Sequence, residues 1–186
     1  MLLASAAGRL AAVGAVGCLC VGTAGATTAG VTRSPPVCPI LSYSRIGSII
    51  GGLDSGPAAN AVRITSTADG RLYECDASTP SPGRGFFYTI TAGCNRSTSE
   101  AASLFRAALN LWKTQAKRMP YLRVAQLRIG DEAFTHVGIF HQGRDVHVRR
   151  GPIIFTAEGK GFGNQAPAPL SILVRLMRAS SSFRCQ

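Results

Sequence analysis

The chain has 186 residues, 46% of them apolar and 16% charged, and a formal net charge of +11 that comes mostly from arginine. That length holds one domain with a substantial core and excludes two large ones. The cations are scattered, with only Lys117-Arg118 and Arg149-Arg150 adjacent; this is the pattern of a solvated basic surface and not a nucleic-acid footprint.

The six cysteines are Cys18, Cys20, Cys38, Cys75, Cys94 and Cys185. The first two fall inside a segment that reads as a targeting signal, and none of the other four forms a C-x-x-C pair. Four spaced cysteines behind an export signal read as two disulfides. Three pairings are possible. The expected one, Cys38–Cys75 with Cys94–Cys185, closes loops worth about 4 kcal/mol each in lost chain entropy.

Residues 1–26 carry one early cation, Arg9, then the apolar run Leu10–Gly22, then small residues ending in Ala24-Gly25-Ala26. That order is a secretory signal peptide cleaved after Ala26, and the run is too short for a membrane span. A rival reading is the lipobox-like Ala15-Val16-Gly17-Cys18, with lipidation at Cys18 tethering the domain to a membrane face. Residues 27–37, rich in Thr, Gly, Ser and Pro, are a linker to a single domain over 38–186.

Within that domain, Ile46, Ile49, Ile50 and Leu53 predict a first helix over 39–50, ended by Gly51-Gly52. Alternation predicts strands over 61–67 and 71–76 joined by an Asp69-Gly70 hairpin turn. A mobile loop follows over 77–84, then a strand over 85–92. Ser97 and Glu100 fit a capping box that opens a helix to Arg118. Its apolar face is Ala101, Leu104, Phe105, Ala108, Leu111 and Trp112, and Pro120 stops it. The run 122–129 is ambiguous. Strands follow over 135–141, 145–150 and 153–158, with two-residue turns at Gly143-Arg144 and Gly151-Pro152. Pro169–Ala179 closes as a helix with Leu170, Leu173, Val174 and Met177 on one face. The fold class is therefore α+β: an antiparallel sheet with helices packed on it, in the order α-βββ-α-βββ-α.

Candidate sites are sparse. A Gly143-Arg144 turn sets His141 opposite Val146 and His147 opposite Phe140, so those two histidines point to opposite faces and cannot share a metal. No metal and no other cofactor is expected. Glu158–Gly163, E-G-K-G-F-G, lacks the Lys-Ser/Thr ending of a phosphate loop and reads as a strand exit. Asp131-Glu132 is a carboxylate pair, raw material for acid–base chemistry with a histidine, but its simpler reading is an exposed turn pairing with arginines. There is no G-x-S-x-G elbow, and no catalytic residue is assigned.

The motifs C-P-I-L-x-x-x-R-I-G-x-I-I-G-G from Cys38, Y-E-C at 73–75, R-I-G-D-E-A-F from Arg128 and V-H-V-R-R-G-P-I-I-F-T from Val146 occur in that order. In this, residues 38–158 resemble a family of small secreted proteins and lipoproteins of actinobacterial cell envelopes, whose domain has no assigned function. The extracellular sensor domains of actinobacterial serine/threonine kinases are a neighbouring resemblance. The likeness implies an α+β domain similar to the photosystem PsbP type, a bridge between Cys38 and Cys75, and an envelope address. It implies no catalytic residues.

Together these readings predict an exported, non-enzymatic binding or interaction module for an envelope ligand or protein. The chain is expected to be a monomer, secreted or on the outer face, and to meet the membrane only through a lipid on Cys18. Fold analogy puts the ligand groove at His147, Arg149, Lys160 and Asn164. The alternatives are a cationic binder of anionic lipid or acidic polymer, and a hydrolase using Asp131 or Glu132 with a histidine.

Overall fold

The computed structural model describes residues 37–53, 62–67, 70–79, 85–137, 143–161 and 167–186. The signal segment with Cys18, linker residues 27–36, His141 and Asn164 lie outside these residues. Seven strands form one antiparallel sheet in the order β1-β2-β3-β7-β6-β5-β4. They are β1 (Val62–Thr67), β2 (Gly70–Ser78), β3 (Phe86–Asn95), β4 (Val124–Gln126), β5 (Glu132–Val137), β6 (Gly143–Arg150) and β7 (Ile153–Gly161). The helices are α1 (Tyr43–Ile50), α2 (Thr98–Arg118) and α3 (Leu170–Ala179). The expected α+β class is the observed one. One short strand, β4, is added from the ambiguous run, so four strands follow α2.

Chain order explains the layout. The first three strands form a meander, and α2 carries the chain from β3 to the far edge. The meander β4 to β7 then returns inward until β7 pairs with β3, from Phe86↔Gly161 to Cys94↔Ile153. Side chains alternate between faces along each strand. On one face Tyr73, Cys75, Ile90, Val146, Phe155 and Ala157 are buried, packed with Ile46 of α1 and with Leu173 and Met177 of α3. The other face carries the polar residues of the same strands and receives α2.

Local chemistry sets the helix ends. Ser42 Oγ accepts from the Arg45 N–H, so α1 begins at Tyr43, later than expected; Pro39 and the buried Ile40 precede it as a bend. Gly51, at φ +91°, ends it in the left-handed conformation. At α2, Ser97 Oγ accepts from the Glu100 N–H at 3.1 Å, while the Glu100 carboxylate reaches back to the Arg96 N–H at 3.0 Å. The expected apolar face of α2 is only half used. Ala101 and Phe105 are buried, whereas Leu104 and Leu111 are 47% and 57% exposed. The helix touches the sheet along a narrow seam, because much of the face beneath is polar.

Two turn expectations change, and strand bounds move with them. Gly70 belongs to β2, paired with Thr67 and Asn95. Its φ is +145°, and a Cβ there would sit 1.7 Å from the Cys94 carbonyl oxygen, so the position requires glycine. Gly143 and Arg144 are not a turn; they pair with Lys160 and Gly159, and Arg144 also with Val137. Strand β5 therefore lies earlier than expected, at Glu132–Val137. Lys160 stands in β7, not in a strand exit. Strand β2 likewise runs on to Ser78, into the expected loop.

Two disulfides close the unit. Cys38–Cys75 ties the segment before α1 to β2, and Cys94–Cys185 ties the end of β3 to the residues after α3. Their Cα separations of 5.8 and 5.9 Å are ordinary for a disulfide. We expect the double variant Cys94→Ala/Cys185→Ala to lose about 2–5 kcal/mol in urea unfolding. In the core, the Tyr88 hydroxyl is buried with no hydrogen-bond partner among the described residues, and burial pushes its pKa up to about 12. Tyr88→Phe should therefore raise stability, by up to about 1 kcal/mol in the same assay; a loss would mean the hydroxyl has a partner.

Candidate functional site

The second face of the sheet is laid out in cross-strand rows. His136, Asp145, Glu158, Thr89 and Asp76 stand directly opposite one another across β5, β6, β7, β3 and β2. The next row runs Phe134, His147, Thr156, Thr91 and Glu74. Directly opposed residues share a face and lie close, so the rows bring titratable groups together. At the β1–β2 edge Arg63 pairs with Glu74 and, at 3.1 Å, with Asp76, which also accepts from Thr89 at 2.8 Å.

The tightest group lies at the other end. His136 Nε2 is 3.1 Å from His147 Nε2 and 3.3 Å from Asp145 Oδ2, and His147 Nδ1 is 3.1 Å from Thr156 Oγ1. Trp112 of α2 stacks on His136 at 3.7 Å between centroids, and Phe134 stacks on His147 at 4.5 Å. Two tautomer arrangements satisfy these partners, because the Thr156 hydroxyl can accept from His147 Nδ1–H or donate to a bare His147 Nδ1. Either way one proton is shared between the two Nε2 atoms. The buried His136 Nδ1 makes no hydrogen bond of ordinary geometry among the described residues.

Burial sets the charge states. It lowers the His136 pKa to about 4, with the Val137 backbone and then the charge of Glu158 opposing. It lowers His147 to about 3, assisted by His136. Burial, and then the like charge of Glu158, raises Asp145 to about 7, while Lys160 opposes. Lys160 itself is raised, chiefly by its hydrogen bond to Glu158, to which it pairs at 2.5 Å. At neutral pH both imidazoles are uncharged and present nitrogen lone pairs beside a carboxyl. The ligating atoms of His136, Asp145 and His147 all lie within 4.8 Å of one another.

The expected groove residues are partly reunited. His147, Arg149 and Lys160 share this face, but Arg149 is buried and occupied. Its Nε donates to Glu132 at 2.7 Å, and its Nη1 donates to Asp131 at 3.0 Å and to the Gly151 carbonyl at 3.2 Å. Glu132 also accepts from Arg106 at 3.0 Å, and the Arg149 bond first of all lowers its pKa. The pair Asp131-Glu132 thus converges on one guanidinium. Gly130, at φ +63°, makes the turn that aims them. They line a recess of about 470 Å³ with Phe105, Leu109 and Leu127, and no histidine lines it. Among the described residues no hydrogen bond or ion pair joins either carboxylate to an imidazole; the carboxyl beside the histidines is Asp145.

The reason given for expecting no metal site fails. It compared His141 with His147 through a turn that the structure does not have. The group that forms is His136, Asp145 and His147, and Asp145 and His136 were missed as a pair. The usable signal was parity: in an antiparallel hairpin, residues two apart on each strand stay on one face.

Compared with protein-family models, curated proteins and solved structures, the chain matches none. No helix among the described residues is long and apolar enough to cross a membrane.

The histidines give stability a pH dependence. A His whose folded pKa is lowered is protonated first in the unfolded chain. Its contribution is whole above pH 6.5 and is lost as pH falls toward about 3 for His147. Asp145 acts in the opposite sense, losing stability as pH rises from 3.8 through about 7. We expect His147→Gln to flatten the acid limb by about 1.4 kcal/mol per pH unit between about pH 6 and 4, read from urea unfolding at successive pH values in metal-free buffer.

Proposed function

We propose that the chain is an exported binding domain of the cell envelope that performs no chemistry of its own. The observation that carries this reading is the pair of disulfides, each joining a strand to a distant segment. Such bridges persist in oxidising compartments. The charged-apolar-small order of residues 1–26 and the resemblance of residues 38–158 to secreted envelope proteins point to the same address.

The ligand surface is the open part of the second face, beyond the narrow seam of α2. There Asp145, His147, Glu158 and Lys160 line one region of β6 and β7, bordered by Trp112. Asp131 and Glu132, the expected acid–base pair, are held by Arg149, which supports binding over hydrolysis.

Intact-mass and peptide mapping of the protein from its native host tests the address. The expected species begins after Ala26, or carries lipid on Cys18, and has both disulfides closed. A chain beginning at Met1 with reduced thiols would contradict the reading. The binding role is tested by NMR titration with envelope lipids and glycans. It predicts micromolar binding with shifts confined to β6, β7 and the end of α2; no binder at that level contradicts it.

A further inference from the structure

We infer that His136, Asp145 and His147 form a binding site for one divalent transition-metal ion of the zinc class. The site lies on the second face of the sheet, between β5, β6 and the last turns of α2. It goes beyond the envelope reading and does not depend on it, because the three ligands come together wherever the chain folds.

The spacing is that of a ligand set. Two donors bound at about 2.0–2.1 Å and separated by roughly tetrahedral or octahedral angles stand about 3.0–3.4 Å apart. His136 Nε2 lies 3.1 Å from His147 Nε2 and 3.3 Å from Asp145 Oδ2. All three ligating atoms lie within 4.8 Å of one another, so rotation of the Asp145 or His147 side chain on a fixed backbone closes the remaining edge. The backbone fixes this arrangement. His136 and Asp145 are direct partners in the β5–β6 ladder, and His147 is the next residue of β6 on that face.

The surroundings suit a metal as well as the donors do. Ligating imidazoles are oriented by a partner on their other nitrogen, and Thr156 holds His147 Nδ1 at 3.1 Å. The rings of Trp112 and Phe134 wall one side. The Asp145 side chain, 21% exposed, leaves a way in on the other. Glu158, directly opposite Asp145, adds negative charge beside the site. Two imidazoles and one carboxylate select a borderline cation over calcium or magnesium, which prefer oxygen alone. Three protein ligands leave a position for water or an outside donor.

Without metal the same groups hold each other by hydrogen bonds. Coordination needs both Nε2 lone pairs, so the proton shared between the two Nε2 atoms leaves that contact for the Nδ1 of the ring that carries it. The change of tautomer at that ring gives the site its own spectroscopic mark.

The test uses the full chain carrying Cys18→Ser and Cys20→Ser, which removes competing thiols. Zinc chloride is titrated against a chromophoric chelator, and imidazole ¹⁵N spectra are recorded before and after. The expected result is one ion per chain at micromolar affinity or tighter. His136 and His147 should both show metal-bound Nε2, and the ring that carries Nε2–H without metal should switch to Nδ1–H. Thr156→Val should weaken binding about 10-fold, and Asp145→Asn and His147→Gln by roughly 100-fold or more. No binding below about 1 mM zinc overturns the inference on an affinity scale where such sites are far tighter. So does unchanged affinity in folded Asp145→Asn, or a spectrum in which only His141 responds. Should His147→Gln fail to fold, the ¹⁵N spectra of the chain with all three histidines intact decide alone.

Discussion

The pairing of β3 with β7 holds the two halves of the sheet together. On one side of that seam lies the meander β1 to β3, on the other the returning meander β4 to β7. The ladder from Phe86↔Gly161 to Cys94↔Ile153 fixes which face every side chain takes. A slip of one residue would carry Ile90 and Ala157 out of the core and bring Thr89 and Glu158 into it, so the hydrophobic effect pins the register firmly. The Cys94–Cys185 bridge acts at the end of the same strand. It keeps the segment that follows α3 close to the face that α3 covers.

The register has an electrostatic consequence on the other face. It aligns polar groups in rows, and the row through Asp145 and Glu158 sets two carboxyls opposite each other, an arrangement that is ordinarily destabilising. Lys160 offsets it by pairing with Glu158, and Asp145 responds by holding its proton to about pH 7. Under Trp112 the two histidines stay neutral because burial disfavours the imidazolium. A face that carries uncompensated polar groups cannot be covered by a broad apolar helix. Helix α2 accordingly touches it through Phe105 and Trp112 and leaves Leu104 and Leu111 in solvent.

Features set by neighbouring residues were legible in the sequence. The Ser97–Glu100 cap, the Gly51 stop, the turn at Gly151-Pro152 and the stripe of α3 each follow from local chemistry. The four cysteines were legible as staples because their number, their spacing and the export signal agree. The extent of α2's buried face was not legible, since periodicity reports what a helix offers and not what its partner accepts. The histidine cluster was out of reach for a similar reason. It depends on where the β5–β6 hairpin turns, and Gly143-Arg144 looks like a turn while acting as the start of a strand against β7. Even so, the displacement from the expected pairing is even, Phe134 in place of Phe140 opposite His147. His136 and His147 share a face under either register. The pairing of β3 with β7 left no mark in any local pattern.

The most direct test is a map of cross-strand proton contacts by NMR on the full chain. The register described here predicts contacts joining His136 to Asp145, Phe134 to His147 and Ile90 to Ala157. Contacts joining His147 to Phe140, or Ile90 to a neighbour of Ala157 on the opposite face, would contradict it and would take the histidine cluster apart.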